Sequence, residues 1–559
     1  MAKAWQVLEP DPAEVEALAE SFKLDRLLAK CILNRKLHRR EVDQFLSPDT
    51  YVAPDPYLIP QMDRAVNRIL AGIDAGERIC VYGDYDADGV TAISILVEGL
   101  RELGGDAFYY IPDRFFEGVG LNNRRLQRLK QEKVGLVITV DTGIRAFEEM
   151  DFAREIGLDV IITDHHTPDP NQPDAYAVLN PKVEGSRYPF HHLCGAGVAL
   201  KIIQALDIRF PQKMNLDRFV AIAAIGTIAD MVPLREENRW IVSHGLKAMD
   251  REEYGPLRSL LRKLGIRGSV TALDISFKVA PRINAPGRLG DPDTAISFFQ
   301  CRDQQEIVRT VDIMDGMNTV RQMLERELEA KMDVQLRCCD PRRHPFILVA
   351  GAHWHRGILG IMACKLLRRF SRPSCVISFD SEMAHGSIRG LPGYNVLTAL
   401  HQIAPLLTSF GGHPEAAGVT LPVTNIPQFK NRMNELMGSL VKTPSTCPSH
   451  AIDAVINWGE LSDELFGNLR KMAPFGTGNA LPVFLSANLI LESDLLRRGP
   501  WFHFEASDGA VSRKCSFYHP TDLSVHYERF DSVDLIYSLA PFRNEYQVQV
   551  LEMKPSKGS

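Results

Sequence analysis

The sequence predicts an α/β protein: a doubly wound parallel sheet, a long connecting helix, a second α/β domain and a C-terminal β-barrel. Three observations carry that reading. From Met62 onward, helix-like runs alternate with short apolar strand-like runs, the order that builds a parallel sheet covered by helices. Residues 303–339 are mostly helix formers with apolar positions at helical spacing and no proline. Beyond residue 450, short strand-like runs from AIDAVI to YQVQVLEM, separated by turn residues, suit a small barrel.

Residues 1–60 form an N-terminal extension with two polar helical stretches (PAEVEALAESF, DRLLAKCILNRK) and a proline-rich loop; no role is assigned to it. Residues 61–302 hold the parallel-sheet domain: helix MDRAVNRILAGIDAG, strand RICVYG, helix VTAISILVEGLRELG, strand AFYYI, helix LNNRRLQRLKQE, strand GLVITV, helix FEEMDFAREIG and strand DVIIT. The connecting helix spans 303–340. A second βα pattern, from FILVAG through SCVISF to FGGHPEAAGVTL, fills 341–445. After the linker-like LVKTPSTCPSH the barrel occupies 446–559, a place that suggests an appended grip on substrate and not a part of the reaction centre.

Composition sets outer limits. A chain of 559 residues with 45% hydrophobic and 24% charged residues fits three or four globular domains and excludes collagen, coiled coil and wholesale disorder. The longest apolar stretch, near Phe219–Ile225, falls short of the ~20 residues that cross a bilayer, and the N-terminus has no apolar segment of a secretory signal. A cytoplasmic protein with no membrane partner is expected. Ten cysteines without a CxxC pair, two of them the adjacent Cys338 and Cys339, read as reduced thiols. A net charge of −6 gives no global sign of nucleic-acid binding, so any such binding must use local basic grooves, and acidic clusters need another use.

The acids collect at strand ends. VYGDYDADG places Asp84, Asp86 and Asp88 directly after one strand. DYDADG matches the start of an EF-hand loop, but its twelfth position is Ile95 and a strand precedes it, so that reading fails. Two more strands end in the same manner, in Asp141-Thr142-Gly143 and in Asp164-His165-His166. Ends of parallel strands lie about 4.8 Å apart per neighbour, so these side chains can converge. Asp230 closes the apolar segment AAIGTIAD, where an isolated acid would be costly. Asp86, Asp88, Asp141, His165 and Asp230 thus form an oxygen-rich set without thiolate, which favours Mn²⁺ or Mg²⁺ over structural zinc. Two such ions, about 3.5–4 Å apart and sharing a carboxylate, suit in-line displacement at phosphorus.

DYDADG, VDTG, DHH and GTIADMVPL resemble the four ordered motifs of the DHH phosphoesterase superfamily, and Gly411-Gly412-His413 resembles the signature of its DHHA1 companion domain. PRINAPGR (281–288), WHRGILGI (354–361), GSIRG (386–390) and PFGTGN (474–479) are similar to segments of the bacterial RecJ exonuclease family. The likeness covers residues 60–554, with Pro286 and Ala480 as departures. It implies an OB-fold for the barrel, two Mn²⁺ or Mg²⁺ ions on Asp86, Asp88, Asp141, His165 and Asp230, and catalytic Asp84 and His166 beside the ions or the scissile phosphate. It implies single-stranded DNA as substrate, degraded 5′ to 3′ to mononucleotides in repair and recombination. A monomer working with a single-strand-binding protein and a helicase is expected.

Substrate groups follow. Arg282, Asn284 and Arg288 are read as a loop suited to phosphate contacts, with inter-domain salt bridges as the alternative. Ser387 and Arg389, read as following a strand, resemble a pocket for a terminal 5′-phosphate, joined by Arg114. Gly411, Gly412 and His413 are read as phosphate donors at a helix start. Trp354 with His355, and Phe502 or Phe504, are candidates for base stacking. Two other functions compete: a phosphodiesterase of the same superfamily acting on short oligonucleotides or cyclic dinucleotides, and a non-catalytic replication scaffold. The added barrel argues against the first and the complete ligand set against the second.

Overall fold

The computed structural model describes residues 5–113, 115, 117–118, 120–251, 255–337, 344–440, 450–518, 527–542 and 545–556. Contacts divide the chain into two compact units. The first joins Met1–Tyr110, Gly120–Ala280 and Cys447–Ser559; the second joins Ile111–Val119 and Pro281–Thr446.

The first unit opens with strand β1 (Trp5–Val7) and helices α1 (Pro12–Phe22), α2 (Arg26–Leu33) and α3 (Arg39–Leu46). Asp11 and Asp25 start the first two helices by accepting from backbone N–H groups one turn in. A five-stranded parallel sheet follows in the order β3 (Asp106–Tyr110), β2 (Arg78–Gly83), β4 (Val134–Val140), β5 (Asp159–Thr163), β6 (Ala177–Leu179). Strands β2, β4 and β5 are near-continuous apolar runs, as sheets covered on both faces require. Helix α4 (Met62–Asp74) precedes β2, and α5 (Ala87–Glu102), α6 (Asn123–Gln131) and α7 (Phe147–Glu155) make the crossovers. Beyond the sheet come α8 (Gly195–Arg209), α9 (Leu216–Ala229), α10 (Glu236–Asp250) and α11 (Gly255–Lys263). α5 packs on β2 and β3 and also against α8 and α9, which explains why it is buried on nearly every side.

In the second unit, α12 (Ala280–Leu289), α13 (Asp293–Gln300) and the 34-residue α14 (Gln304–Arg337) lead into a sheet ordered β10 (Ser409–His413), β11 (Ala416–Pro422), β9 (Met383–Arg389), β8 (Ser374–Phe379), β7 (Ile347–Ala352). Only β7 and β8 run parallel. The foot of α14 (Leu328, Met332, Leu336) packs with Ile347, Val349 and Trp354.

The chain then returns to the first unit. Strands β12 (His450–Ile452) and β13 (Ala454–Val455) precede β14 (Val483–Leu491), β15 (Leu496–Arg498), β16 (Trp501–Ser507), β17 (Ser512–Tyr518), β18 (Ser532–Phe542) and β19 (Glu545–Pro555). The sheet order is β13-β14-β18-β19-β17-β16-β15, and it curls until β14 also meets β16 over two residue pairs, an OB-like arrangement. Its interior is shared with the N-terminal helices: Leu18, Leu28, Ile32, Val42 and Phe45 join Phe484, Phe504, Leu535 and Val548 in one core. β1 pairs in parallel with β12, and Arg35 pairs with Asp453 at 2.8 Å. The C-terminal sheet is therefore not an appended module, contrary to what the linker suggests, because its core is completed by residues 18–45.

Three local expectations are corrected. PRINAPGR is helical, within α12, which accommodates Pro286 although that residue has no N–H to give the Arg282 carbonyl. Ser387 and Arg389 lie inside β9 and do not follow a strand. The GGH segment is no helix start, because residues 409–413 pair with 416–420 as a hairpin.

Candidate metal centre

The acids do converge. Asp86 caps α5, its Oδ1 accepting from the N–H of Asp88 (3.0 Å) and of Gly89 (3.1 Å), so the cap sets the direction of the whole DYDADG turn. Asp88, in the first turn of α5 and 2% exposed, is gripped by another helix: Oδ2 accepts from the Gly195 N–H (2.6 Å) and Oδ1 from the Ala196 N–H (2.8 Å) at the start of α8. That grip requires Gly195. A Cβ there would lie 2.7 Å from Cβ of Asp141 and 3.0 Å from Oδ2 of Asp88.

Asp141, directly after β4, has φ +58°. It is a left-handed conformation that acids tolerate better than most residues. Thr139 Oγ1 donates to the Thr142 carbonyl and Thr163 Oγ1 to the Thr139 carbonyl, tying the ends of β4 and β5 together. Asp164 accepts from the N–H groups of Ile144, His165 and His166 and from Nδ1 of His166 at 2.7 Å. His165 then sits between the other acids: its Nε2 is 3.0 Å from Asp141 Oδ1 and 3.9 Å from Asp88 Oδ2, and its Nδ1 is 3.7 Å from Asp230 Oδ2. Donor atoms of Asp88, His165 and Asp230 lie within 4.8 Å of one another, and so do those of Asp141, Asp164, His165 and His166.

The electrostatics suit a cation. Burial, then the charges of Asp88, Asp86, Asp84 and Asp164, raise the Asp141 carboxyl well above its ordinary value. Burial, Asp88 and Asp86 push Asp230 up to about 8. Asp88 is raised mainly by burial, against the attraction of His165. Burial pushes His165 down to about 4, which leaves it neutral and able to ligate. Asp164 behaves differently: burial would raise it, but the bond from His166 and the backbone donors hold it at about 2. Two buried atoms, Asp141 Oδ1 and His165 Nδ1, make no hydrogen bond. Orphaned acceptors facing clustered acids fit a divalent ion, whose oxygen-rich donor set suits Mn²⁺ or Mg²⁺.

Of the residues read from sequence as ligands, Asp88, Asp141, His165 and Asp230 fall in the converging sets; Asp86 acts as a helix cap beside them, and Asp84 turns its Oδ1 to the N–H of Tyr85. Sequence reasoning names Asp164 at its strand end but leaves it out of the ligand set, and it misses Asn180 and Lys182. Asn180 Nδ2 donates to the His166 carbonyl (2.9 Å), and Lys182 Nζ bonds the His165 carbonyl. It also missed the two backbone donors of α8, whose one trace is the glycine pair in CGAG.

The remaining candidates lie in the second unit, except Arg114, which falls outside the described residues. On α12, Asn284 and Arg288 are one turn apart on the same face; Arg282, about 200° round from Asn284, pairs with Asp315 of α14 at 2.8 Å. Arg389 Nη1 donates to Ser387 Oγ (3.1 Å) and to the Ile388 carbonyl, a half-buried pair. His355 accepts the Gly357 N–H and meets Phe115 edge-on. Gly411, Gly412 and His413 are exposed on edge strand β10. Trp354, Phe502 and Phe504 are core residues, 9%, 8% and 4% exposed, and do not present faces for stacking. Among the described residues the cysteines are free, and no helix is long and apolar enough to cross a membrane.

Comparison with known proteins fits this geometry. Family models described as the DHH family N-terminal domain, the DHHA1 domain and the RecJ OB domain match residues 78–227, 344–439 and 452–551. The chain is 37% identical to the single-stranded-DNA-specific exonuclease RecJ of Bacillus subtilis, over 87% of this chain and 62% of that protein. It is 32% identical to that of Salmonella typhimurium, over 78% of this chain and 79% of the relative. A crystal structure of RecJ in complex with Mn²⁺ from Thermus thermophilus superposes with a TM-score of 0.83 at 28% identity, covering 99% of this chain and 80% of that one. The chain thus spans just under two thirds of the Bacillus relative's length.

Proposed function

Because the chain belongs to the RecJ family, we propose that it is a metal-dependent exonuclease that degrades single-stranded DNA from the 5′ end to mononucleotides. The convergence of Asp88, Asp141, His165 and Asp230, with two of their buried atoms making no hydrogen bond, carries this reading. In it these four residues, with Asp86, hold Mn²⁺ or Mg²⁺, as the Thermus relative holds Mn²⁺. When bound, the ions would acidify a water and offset the charge that develops on the phosphate.

The chain's own contribution is placement. Backbone donors of Gly195 and Ala196 fix both oxygens of Asp88, so its carboxylate cannot swing when charge arrives. Asp164 anchors the imidazole of His166, which in this reading donates to a phosphate oxygen or the leaving group, with Asp84 beside the ions. Ser387 and Arg389 are the pocket proposed for a terminal 5′-phosphate, and Asn284, Arg288, His355, Gly411, Gly412 and His413 the groups that track the strand; Arg282 is the weakest member because Asp315 engages it. A monomer in the cytoplasm that meets a single-strand-binding protein and a helicase completes the reading. Digestion of a long strand labelled at either end, with and without Mn²⁺, tests it: label released first from the 5′ end, with chelator abolishing release, is expected. Metal-independent release, or release first from the 3′ end, would reject it.

A further inference from the structure

Asp230 is delivered by a loop that residues far along the chain hold in place, and we infer that segment 472–479 is a positioning element for this ligand. The inference rests on the metal-dependent function proposed above. α9 ends at Ala229; Asp230 caps it, with its N–H bonded to the Gly226 carbonyl at 2.9 Å. Met231 then takes φ +59°. A left-handed residue of that shape is uncommon and persists where its surroundings impose it.

The imposition arrives within three residues. The Leu234 N–H donates to the Thr477 carbonyl at 2.8 Å. Asn238 Nδ2 donates to the carbonyls of Pro233 (3.0 Å) and His192, and Arg235 Nη2 to the carbonyl of Arg35. Gly476 lies flat on Leu234: a Cβ there would stand 2.7 Å from Leu234 Cδ1.

Segment 472–479 is itself rigid. Asn479 is wholly buried, its Nδ2 donating to the carbonyls of Met472 (2.7 Å) and Pro474 (2.9 Å), while Gly476 and Asn479 exchange backbone bonds. From α10, the buried guanidinium of Arg239 donates to the carbonyls of Met472, Ala473 and Pro474 and to that of Phe45. A cation buried against peptide carbonyls is expensive to desolvate, and here it welds three stretches of chain at the base of the Asp230 loop. The route is continuous: Asn479 and Arg239 shape the segment, Thr477 holds Leu234, and residues 230–234 are left one course that brings Asp230 to within 3.7 Å of His165.

Groups that orient a metal ligand without touching the ion are worth roughly 10- to 100-fold in metal affinity. Mn²⁺ titration of the full-length protein, read by paramagnetic resonance or calorimetry with no DNA present, tests the assignment. Asn479→Ala should weaken Mn²⁺ binding about 10-fold at temperatures where a cooperative melt shows it folded. Should that variant fail to fold, Gly476→Ala, which presses one methyl on Leu234, should move affinity in the same direction. Val533→Ala, in the core of the same C-terminal sheet, lowers the melting temperature but should leave Mn²⁺ affinity unchanged. Wild-type Mn²⁺ affinity in folded Asn479→Ala or Gly476→Ala, or an equal loss in Val533→Ala, would overturn the inference. Asp230→Asn supplies the reference: if it too binds Mn²⁺ as the wild type does, the metal assignment fails and takes this inference with it.

Discussion

In the first unit Asp88, Asp141 and His165 stand where parallel strands end, each less than a tenth exposed; in the second, Gly411, Gly412 and His413 lie open on an edge strand and Arg389 is half-buried in a mixed sheet. The contrast separates two ways of holding a polar group. Burial fixes the acids through backbone donors and neighbouring carboxylates, at a desolvation cost that a cation offsets, and leaves no slack for an added atom. The second unit keeps its groups more open to water, so each contributes modestly.

The largest effect that would sharpen this contrast is in the buried centre. Asp141→Ala should lower turnover by about 10³-fold or more, roughly 4 kcal/mol of barrier, while single-strand binding stays within a few-fold; near-normal digestion of an end-labelled strand would erase the distinction. Next come paired glycine substitutions. Gly195→Ala should cost about 10- to 100-fold in Mn²⁺ affinity by displacing Asp88 and Asp141, whereas Gly411→Ala, with nothing within 4 Å of the new methyl, should change neither metal binding nor melting. Arg389→Ala should remove about 10-fold of the advantage of a 5′-phosphorylated strand over a 5′-hydroxyl one, in line with a charge-assisted hydrogen bond of about 1.5–3 kcal/mol. Equal loss on both strands would make Arg389 structural. The smallest effect belongs to the C-terminal sheet: Phe504→Leu should lower the melting temperature by a few degrees and shift strand affinity less than about twofold, since the ring is 4% exposed.

The parallel sheet and its acids were legible because the signals are local. An apolar run, then an acid, reads as a strand end on a ligand face, and Asp88, Asp141 and His165 are legible that way; Asp230 is legible instead as an acid that closes an apolar helical run, where burial alone would be costly. Asn180 and Lys182 escaped because each acts through a carbonyl of a neighbour distant in sequence, and backbone donors carry no side-chain signature. PRINAPGR was misread because one proline and one glycine were given more weight than their helical neighbours. Aromatic Phe502 and Phe504 read equally as stackers or core; alternation along β16 decides it, since both share the inward face. The coupling of residues 5–46 to the C-terminal sheet had no local trace at all.

That coupling has a consequence for how the chain is made. Trp5 pairs with His450, and the apolar faces of α1–α3 are covered by strands that begin at Val483. At about 5–20 residues per second of synthesis, roughly 20 to 90 seconds separate the two halves of that core. Throughout this interval Leu18, Leu28, Ile32 and Phe45 have no partner from the C-terminal sheet, and the second unit, which ends at Thr446, is synthesised in full before those strands begin. The first domain to begin is the last to close, so a ribosome that stalls before the final strands releases a chain with a sticky amino end: a substrate for chaperones and proteases.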